Sequence, residues 1–157
     1  MADGRRTSAA SIRQRLLDVA RAEGRVHEVV LVRYALERLL YRLSISPHRD
    51  RFALKGGMLV TQWIHGGNRE TRDVDFLGFG ESTPDVLKAT FAEIMVTAAD
   101  DALAFDVGAL RAEQIREGTE YEGVRLRTTA YLDRTRITVT VDIGFGDAVA
   151  PKLELMN

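Results

Sequence analysis

The first third of the chain carries apolar residues at helical spacing. Residues 8–24 predict a helix that stops at Gly24, and its apolar face comprises Ile12, Leu16, Leu17 and Ala20. Residues 26–44 predict a second helix, whose stripe comprises Val29, Val32, Leu36, Leu39, Leu40 and Leu43. On another face of that helix, Arg33 and Glu37 stand at i,i+4, where we expect an ion pair.

The middle of the chain alternates short apolar runs with turn-forming residues. Residues 51–55 predict a short strand that enters a tight turn at Gly56–Gly57, and residues 58–64 then resume helical spacing. Residues 65–72 have the composition of a loop. The next strand is predicted over residues 73–79.

One further helix is followed by segments of period two. The helix is predicted over residues 82–98, with Thr83 as its N-cap and Pro84 in its first turn. Four segments then alternate apolar and polar residues as half-buried strands do: 104–107, 110–115, 123–132 and 136–145. Because residues 132–136 are a short connection, the last two strands are predicted to form an antiparallel hairpin.

These elements predict an α+β fold with two N-terminal helices. The length favours a single domain over residues 1–157. Within it, we expect residues 1–10 to be disordered and residues 151–157 to form a truncated or irregular tail.

Composition narrows the class of protein. The chain is 45% hydrophobic and 29% charged, which is ordinary for a globular domain. It has no cysteine, which excludes disulfides and thiolate metal sites. It also has no apolar run of about 18 residues, the length that would indicate a membrane span. We therefore expect a soluble, cytoplasmic protein without membrane contact.

Charge is distributed unevenly along the chain. Residues 1–51 carry eleven Lys/Arg against six Asp/Glu, and residues 52–157 carry eleven against seventeen. Solvated helix faces rich in Arg and Glu would produce this distribution. A basic flank that steers a polyanion such as RNA toward an acidic, metal-loaded centre would produce it as well. Charge alone leaves both interpretations open.

The strand predicted over residues 73–79 holds a pair of acids. Asp73 and Asp75 project to the same face, about 7 Å apart along the chain, while Val74 and Phe76 point into the core. Two carboxylates so close repel each other, and a divalent cation removes that repulsion. Mg²⁺ favours a few carboxylates together with water and substrate phosphates. The pair therefore predicts a magnesium site.

A third acid lies in the last predicted strand. Asp142 stands among Val139, Val141, Ile143 and Phe145. A carboxylate buried there without a partner would be costly. We expect Asp142 to bridge or complete the metal site, or to take the proton from an attacking hydroxyl.

The glycine pair suits a phosphate group. At a strand-to-helix junction, Gly56 and Gly57 let backbone N–H groups approach a phosphate, whose charge the helix N-terminus favours. Lys55 and Arg72 are cations within reach of such a site. The chain lacks a G-x-x-x-x-G-K-[ST] sequence, which excludes a Walker-type ATPase. It also lacks H-E-x-x-H and G-x-S-x-G, so zinc protease and acyl-transfer chemistry have no support.

Three segments together resemble a known family. FALKGGMLV (52–60), TRDVDF (71–76) and VTVDIGFGDAV (139–149) are similar to segments of the AbiEii/AbiGii-type nucleotidyltransferase toxins, to which the MenT toxins are related. These belong to the polymerase-β-like nucleotidyltransferase superfamily, and the resemblance covers roughly residues 12–150. It implies a mixed β-sheet flanked by helices. It also implies an enzyme that moves a nucleoside monophosphate from an NTP to a hydroxyl and releases pyrophosphate.

The resemblance implies roles for individual residues and partners. Gly56 and Gly57 match the phosphate-binding turn of the family. Asp73 and Asp75 match the paired ligands of a two-metal Mg²⁺ site, and Asp142 matches the third carboxylate. Toxin members are held in check by a cognate antitoxin, and for some the acceptor is the 3′ end of tRNA. An NTP, an RNA acceptor and an antitoxin protein are therefore the implied partners.

Two departures from the family pattern keep other functions open. Met58 follows Gly57 where this branch often has Ser or Thr. Relatives also continue past the third-carboxylate strand into a helical region, which this chain lacks because it stops at Asn157. A catalytically inactive, truncated nucleotide-binding or interaction module is therefore the alternative to an active enzyme. A D-x-D glycosyltransferase is a third hypothesis, which the shortness of the chain disfavours.

Overall fold

A computed structural model describes residues 8–54, 74–80, 83–117 and 121–145. In these ranges the chain forms three α-helices, namely α1 (Ala9–Glu23), α2 (His27–Ser44) and α3 (Pro84–Met95). It also forms the strands β1 (Phe52–Leu54), β2 (Val74–Gly78), β3 (Leu103–Phe105), β4 (Arg111–Glu117), β5 (Tyr121–Leu132) and β6 (Thr135–Gly144). Two 3₁₀ turns lie at Arg49–Arg51 and Val107–Ala109. The predicted α+β class is confirmed. The segment 58–64, predicted to be helical, lies outside the described residues.

Local capping sets the helix ends. The Ser8 hydroxyl accepts a hydrogen bond from the backbone N–H of Ser11 at 3.0 Å, which caps the start of α1. Gly24 ends that helix in the left-handed region, with φ of 67°. Thr83 caps α3 as predicted, since its hydroxyl accepts from the N–H of Val86 at 3.3 Å. The predicted end of α3 at residue 98 is wrong, because the helix stops at Met95.

The strands form one mixed sheet in the order β1-β2-β6-β5-β3, and β4 also pairs with β5. The β2–β6 pair is parallel, while the other strand pairs are antiparallel. As predicted, β5 and β6 form a hairpin. Its paired ends Leu132 and Thr135 leave a loop of Asp133 and Arg134, in which Asp133 has a φ of 59°.

The helices pack on one face of this sheet, called here the core face. It is formed by alternate buried residues of the central strands, namely Val74, Phe76, Val124, Leu126, Val139, Val141 and Ile143. From the helices, Leu36, Leu39, Leu87, Phe91 and Ile94 meet them, each fully buried. No described helix is long and apolar enough to cross a membrane.

Arg33 has a different ion-pair partner from the one predicted. Its two terminal nitrogens donate to the two carboxylate oxygens of Glu23, each at 3.3 Å. The predicted pair with Glu37 is therefore wrong. Glu23 lies at the end of α1, so the docking of α1 on α2 supplies Arg33 with a two-point carboxylate that the i,i+4 spacing along α2 does not.

A buried ion pair ties α2 to the connection between α3 and β3. Arg42 is 4% exposed and Asp101 is 1% exposed, and Nη2 of Arg42 donates to Oδ1 of Asp101 at 2.7 Å. Arg42 also donates to the backbone carbonyls of Met95 and Leu103. The N–H of Leu103 donates to the same carboxylate oxygen at 3.0 Å. The guanidinium therefore joins the end of α3 to the start of β3.

Two more side chains of α2 complete this network. Arg38 donates from Nε to Oδ2 of Asp101 at 3.1 Å, and the Tyr34 hydroxyl donates to the Asp101 carbonyl at 3.0 Å. Burial, together with the negative charge of Asp101, raises the pKa of Tyr34 to about 12. Asp101 is thus the centre at which three side chains of α2 converge.

Replacing Asp101 tests this network. Asp101→Asn leaves the buried Arg42 without its counter-charge, and breaking a buried pair in this way costs about 3–5 kcal/mol of unfolding free energy. Urea unfolding measures the loss. Asp100→Asn, at the exposed neighbouring position, is the control and should change stability little. Equal stability of the two variants would show that the network does not hold α2 in place.

Glu37 makes stability depend on pH. Burial raises its pKa from 4.5 to about 7, opposed by Arg33 and Arg38 and reinforced by Glu23. The folded chain therefore binds a proton at Glu37 that the unfolded chain has already lost between pH 4.5 and about 7. Stability from this group is present at the acid end of that window and is lost as pH rises through it.

Glu37→Gln removes this titration. We expect the variant to gain stability over the original chain at pH 8 and to lose most of that advantage at pH 5, because the original Glu37 is then protonated. Urea unfolding at the two pH values measures the difference. Glu28→Gln, an exposed change on the same helix, is the control. A Glu37→Gln advantage that does not vary with pH would contradict the explanation.

Candidate active site

The face of the sheet opposite the core carries the candidate site. This site face is formed by the alternate residues that point away from the helices, including Asp75, Thr140, Asp142, Arg125, Arg127, Arg111 and Glu113. Within the described ranges, α1, α2 and α3 all contribute to the core on the other side. Chemistry on this sheet is therefore to be sought on the polar side.

Strand register places two predicted site residues side by side. In the parallel β2–β6 pair, Asp75 is the direct partner of Asp142. Neighbouring strands lie about 4.8 Å apart, so both carboxylates can reach the same small ligand. Asp75 is exposed, whereas Asp142 is only 4% exposed. The fold thus brings together two acids that are far apart in the sequence.

Asp142 is held by an arginine on the next strand. In the β5–β6 hairpin, Arg125 is the direct partner of Asp142. Its Nε donates to Oδ1 at 2.7 Å and its Nη2 donates to Oδ2 at 2.9 Å. This two-point, charge-assisted pairing supplies the counter-charge that a buried carboxylate requires.

The charges continue across four strands. Glu113 on β4 is the direct partner of Arg125. Asp75, Asp142, Arg125 and Glu113 therefore form one line across the sheet, which we call the acid row. Three acids and one arginine give this row an excess of negative charge, which favours a cation.

A pair of arginines lies beside the acid row. Arg111 and Arg127 are direct partners on β4 and β5, both exposed, and Thr140 completes their line on β6. Like charges placed directly opposite each other are destabilising. Within the described residues, no acid forms an ion pair with either arginine. Successive lines on one face lie about 7 Å apart, so the arginine pair could contact an anion that reaches the acid row.

The described residues fit a divalent cation that prefers oxygen ligands. Asp75 and Asp142 supply carboxylate oxygens, which Mg²⁺ favours. In the described ranges, no group of three His, Cys, Asp or Glu is placed to hold a metal ion. The third predicted ligand, Asp73, lies outside those ranges, as do the predicted phosphate-binding residues Lys55, Gly56, Gly57 and Arg72. Their assignment stays a prediction.

Arg125 is the residue of this site that the sequence reasoning missed. The signal lay in the hairpin connection. Once the loop is restricted to Asp133 and Arg134, counting back from the Leu132–Thr135 pair places Arg125 opposite Asp142. The alternation pattern alone did not define the loop to the residue, so this partner was not predicted.

Gly123 allows β5 and β6 to approach closely beside the Arg125–Asp142 pair. Gly123 is the direct partner of Gly144, one line beyond that pair. A Cβ at position 123 would lie 2.8 Å from the carbonyl oxygen of Ile143. A glycine at such a point in a strand is typical of close backbone approach.

The fold and the site define a class before they define a family. A mixed sheet with helices on one face and facing carboxylates on the other is consistent with a nucleotidyltransferase domain. A family profile described as the nucleotidyl transferase AbiEii toxin of a type IV toxin–antitoxin system matches residues 38–156. This match spans well over half of the chain, so the chain belongs to the AbiEii family and the resemblance seen in its motifs is confirmed. No curated protein matches the chain.

Gly123→Ala tests the close approach of the two strands. We expect a loss of about 1–3 kcal/mol in unfolding free energy, because the added methyl group meets a backbone oxygen that cannot turn away. Urea unfolding measures it. Gly108→Ala is the matched control, since its Cβ would meet only Asp106 Oδ1 at an ordinary 3.5 Å. If both variants lose the same stability, close approach at position 123 is not the cause.

Proposed function

We propose that this chain moves a nucleoside monophosphate from an NTP to a hydroxyl of an RNA acceptor such as tRNA, with Mg²⁺ as its cofactor. In this proposal it acts in the cytoplasm as the toxin of a toxin–antitoxin pair and binds a cognate antitoxin protein. The observation that carries the proposal is the β2–β6 register, which sets Asp75 beside Asp142 on the site face. Membership of the AbiEii family supports the reaction class.

Each residue of the proposed site has a role that its chemistry allows. Asp73 and Asp75 would hold the cation through their carboxylate oxygens, as would Asp142 if it completes the site. The bound cation would stabilise negative charge on the phosphoryl group that is transferred. Asp142 would take the proton from the acceptor hydroxyl.

The phosphates of the NTP would lie on the glycine turn. Backbone N–H groups at Gly56 and Gly57 would donate to the phosphate oxygens, and Lys55 and Arg72 would balance their charge. These residues lie outside the described ranges, so sequence and family resemblance are what support this part of the proposal.

Two features support a polyanionic acceptor. Arg111 and Arg127 present adjacent guanidinium groups beside the acid row. Residues 1–51 carry an excess of positive charge. Phosphate contacts of this kind supply much of the affinity of nucleic-acid binding and position the strand without reading its sequence.

A second candidate function follows from the Arg125–Asp142 pair. Both oxygens of Asp142 accept hydrogen bonds from the guanidinium, which leaves the carboxylate less able to take a proton. A chain locked in this state would bind nucleotide or antitoxin without catalysing transfer. This is the inactive binding module.

Labelled transfer tests the proposal. The purified chain is incubated with Mg²⁺, each α-labelled NTP in turn and total tRNA, and label in RNA is measured. We expect transfer by the original chain and a loss of about 10²-fold or more in Asp75→Asn, in the range seen when charge stabilisation at a reacting centre is removed. Asp50→Asn, a fully exposed change away from the sheet, is the control and should retain transfer.

The outcomes separate the two functions. Transfer that is undiminished in Asp75→Asn would refute the role of the paired acids. Calorimetry resolves the remaining case, because binding of Mg²⁺–NTP without transfer to any RNA would favour the inactive module. Circular dichroism of each variant checks that the fold is intact.

A further inference from the structure

We infer that Arg125 competes with the divalent cation for Asp142. In this inference Arg125 neutralises Asp142 while the cation is absent, and it releases the carboxylate to bind the phosphates of the incoming nucleotide. The inference rests on the proposed function and adds a device that couples cation binding to nucleotide binding.

The contact geometry shows what is being competed for. Arg125 reaches both oxygens of Asp142, at 2.7 and 2.9 Å. Those oxygens are also the ligand atoms that the proposed metal site requires. A cation that binds at Asp75 and Asp142 must therefore share the carboxylate with the guanidinium or displace it.

Burial differs between the two partners. The side chain of Asp142 is 6% exposed, whereas that of Arg125 is 31% exposed. Asp142 is thus enclosed by the sheet, while the guanidinium reaches the solvent side and can swing on its long stem. Arg125 is therefore the partner that can move.

Charge favours the exchange once nucleotide and cation arrive together. Asp142 left alone in its buried position would be costly, so it needs a positive partner at all times. A divalent cation would replace that partner and repel the guanidinium beside it. Phosphate oxygens offer the released guanidinium a two-point partner that matches its geometry. The exchange keeps every one of these charges paired.

Binding of Mn²⁺, a paramagnetic substitute for Mg²⁺, tests the inference without measuring transfer. Free Mn²⁺ is followed by electron paramagnetic resonance during titration of the full chain in the absence of nucleotide. We expect Arg125→Gln to bind Mn²⁺ about tenfold more tightly than the original chain, which corresponds to removal of a competing interaction of about 1.4 kcal/mol. A residue that merely positioned Asp142 would give the opposite result, because its loss would weaken the metal site.

Two further variants make the measurement specific. Arg125→Lys keeps the charge but loses the two-point fit, so its Mn²⁺ affinity should lie between those of the original chain and Arg125→Gln. It also keeps the test valid if Arg125→Gln does not fold. Arg136→Gln removes the same charge from an exposed position of β6 on the same face, six residues from Asp142. That variant should bind Mn²⁺ as the original chain does.

Addition of an NTP provides a second readout. In the original chain, we expect the NTP to raise Mn²⁺ affinity strongly, because the phosphates take up the released guanidinium. In Arg125→Gln, that increase should be smaller, since no guanidinium has to be moved or rehoused.

Failure of the inference can be told from failure of the proposed function. If Asp75→Asn abolishes Mn²⁺ binding but the Arg125 variants bind as tightly as the original chain or more weakly, the competition is refuted and the metal site stands. If the original chain itself binds no Mn²⁺, with or without NTP, both the competition and the proposed metal site are refuted.

Discussion

The parallel pairing of β2 with β6 is the constraint on which the candidate site depends. Each strand buries one set of alternate residues, with Val74 and Phe76 on β2 and Val141 and Ile143 on β6. A slip of one residue in either strand would turn that set toward water, so burial of the core determines the register. The same register holds Asp75 against Asp142. Hydrophobic burial on one face thus keeps two repelling acids together on the other.

Two arginine–aspartate pairs in this fold solve different problems. Arg42 and Asp101 are both enclosed, with side chains 5% and 1% exposed, and their contacts join α2 to backbone on either side of the α3–β3 connection. In the Arg125–Asp142 pair, the acid is enclosed but the arginine is 31% exposed. An enclosed cation is a fixed structural element, whereas a cation that reaches solvent can exchange partners. The difference in arginine exposure separates a structural pair from one suited to a reaction.

The distribution of charge on the site face suits the chemistry of the family to which the chain belongs. Nucleotidyl transfer brings together anionic phosphates, cations and a hydroxyl acceptor. The acid row attracts cations, and the neighbouring Arg111–Arg127 pair attracts anions. Because both lines lie on strands whose other face is buried, their spacing is set by the sheet and does not depend on flexible side-chain placement alone.

The sequence by itself determined the elements and the faces of this protein. Periodicity and capping depend on residues a few positions apart, so α1, α2, the Thr83 cap of α3 and the outward direction of Asp75 were all predictable. Lys55, Gly56, Gly57, Arg72 and Asp73 keep the roles that the sequence predicts for them. Tertiary structure alone decided that Arg33 pairs with Glu23 and that Arg125 holds Asp142. Those partners depend on how helices dock and on which residues of two strands lie opposite each other, and no pattern within a single segment contains that information.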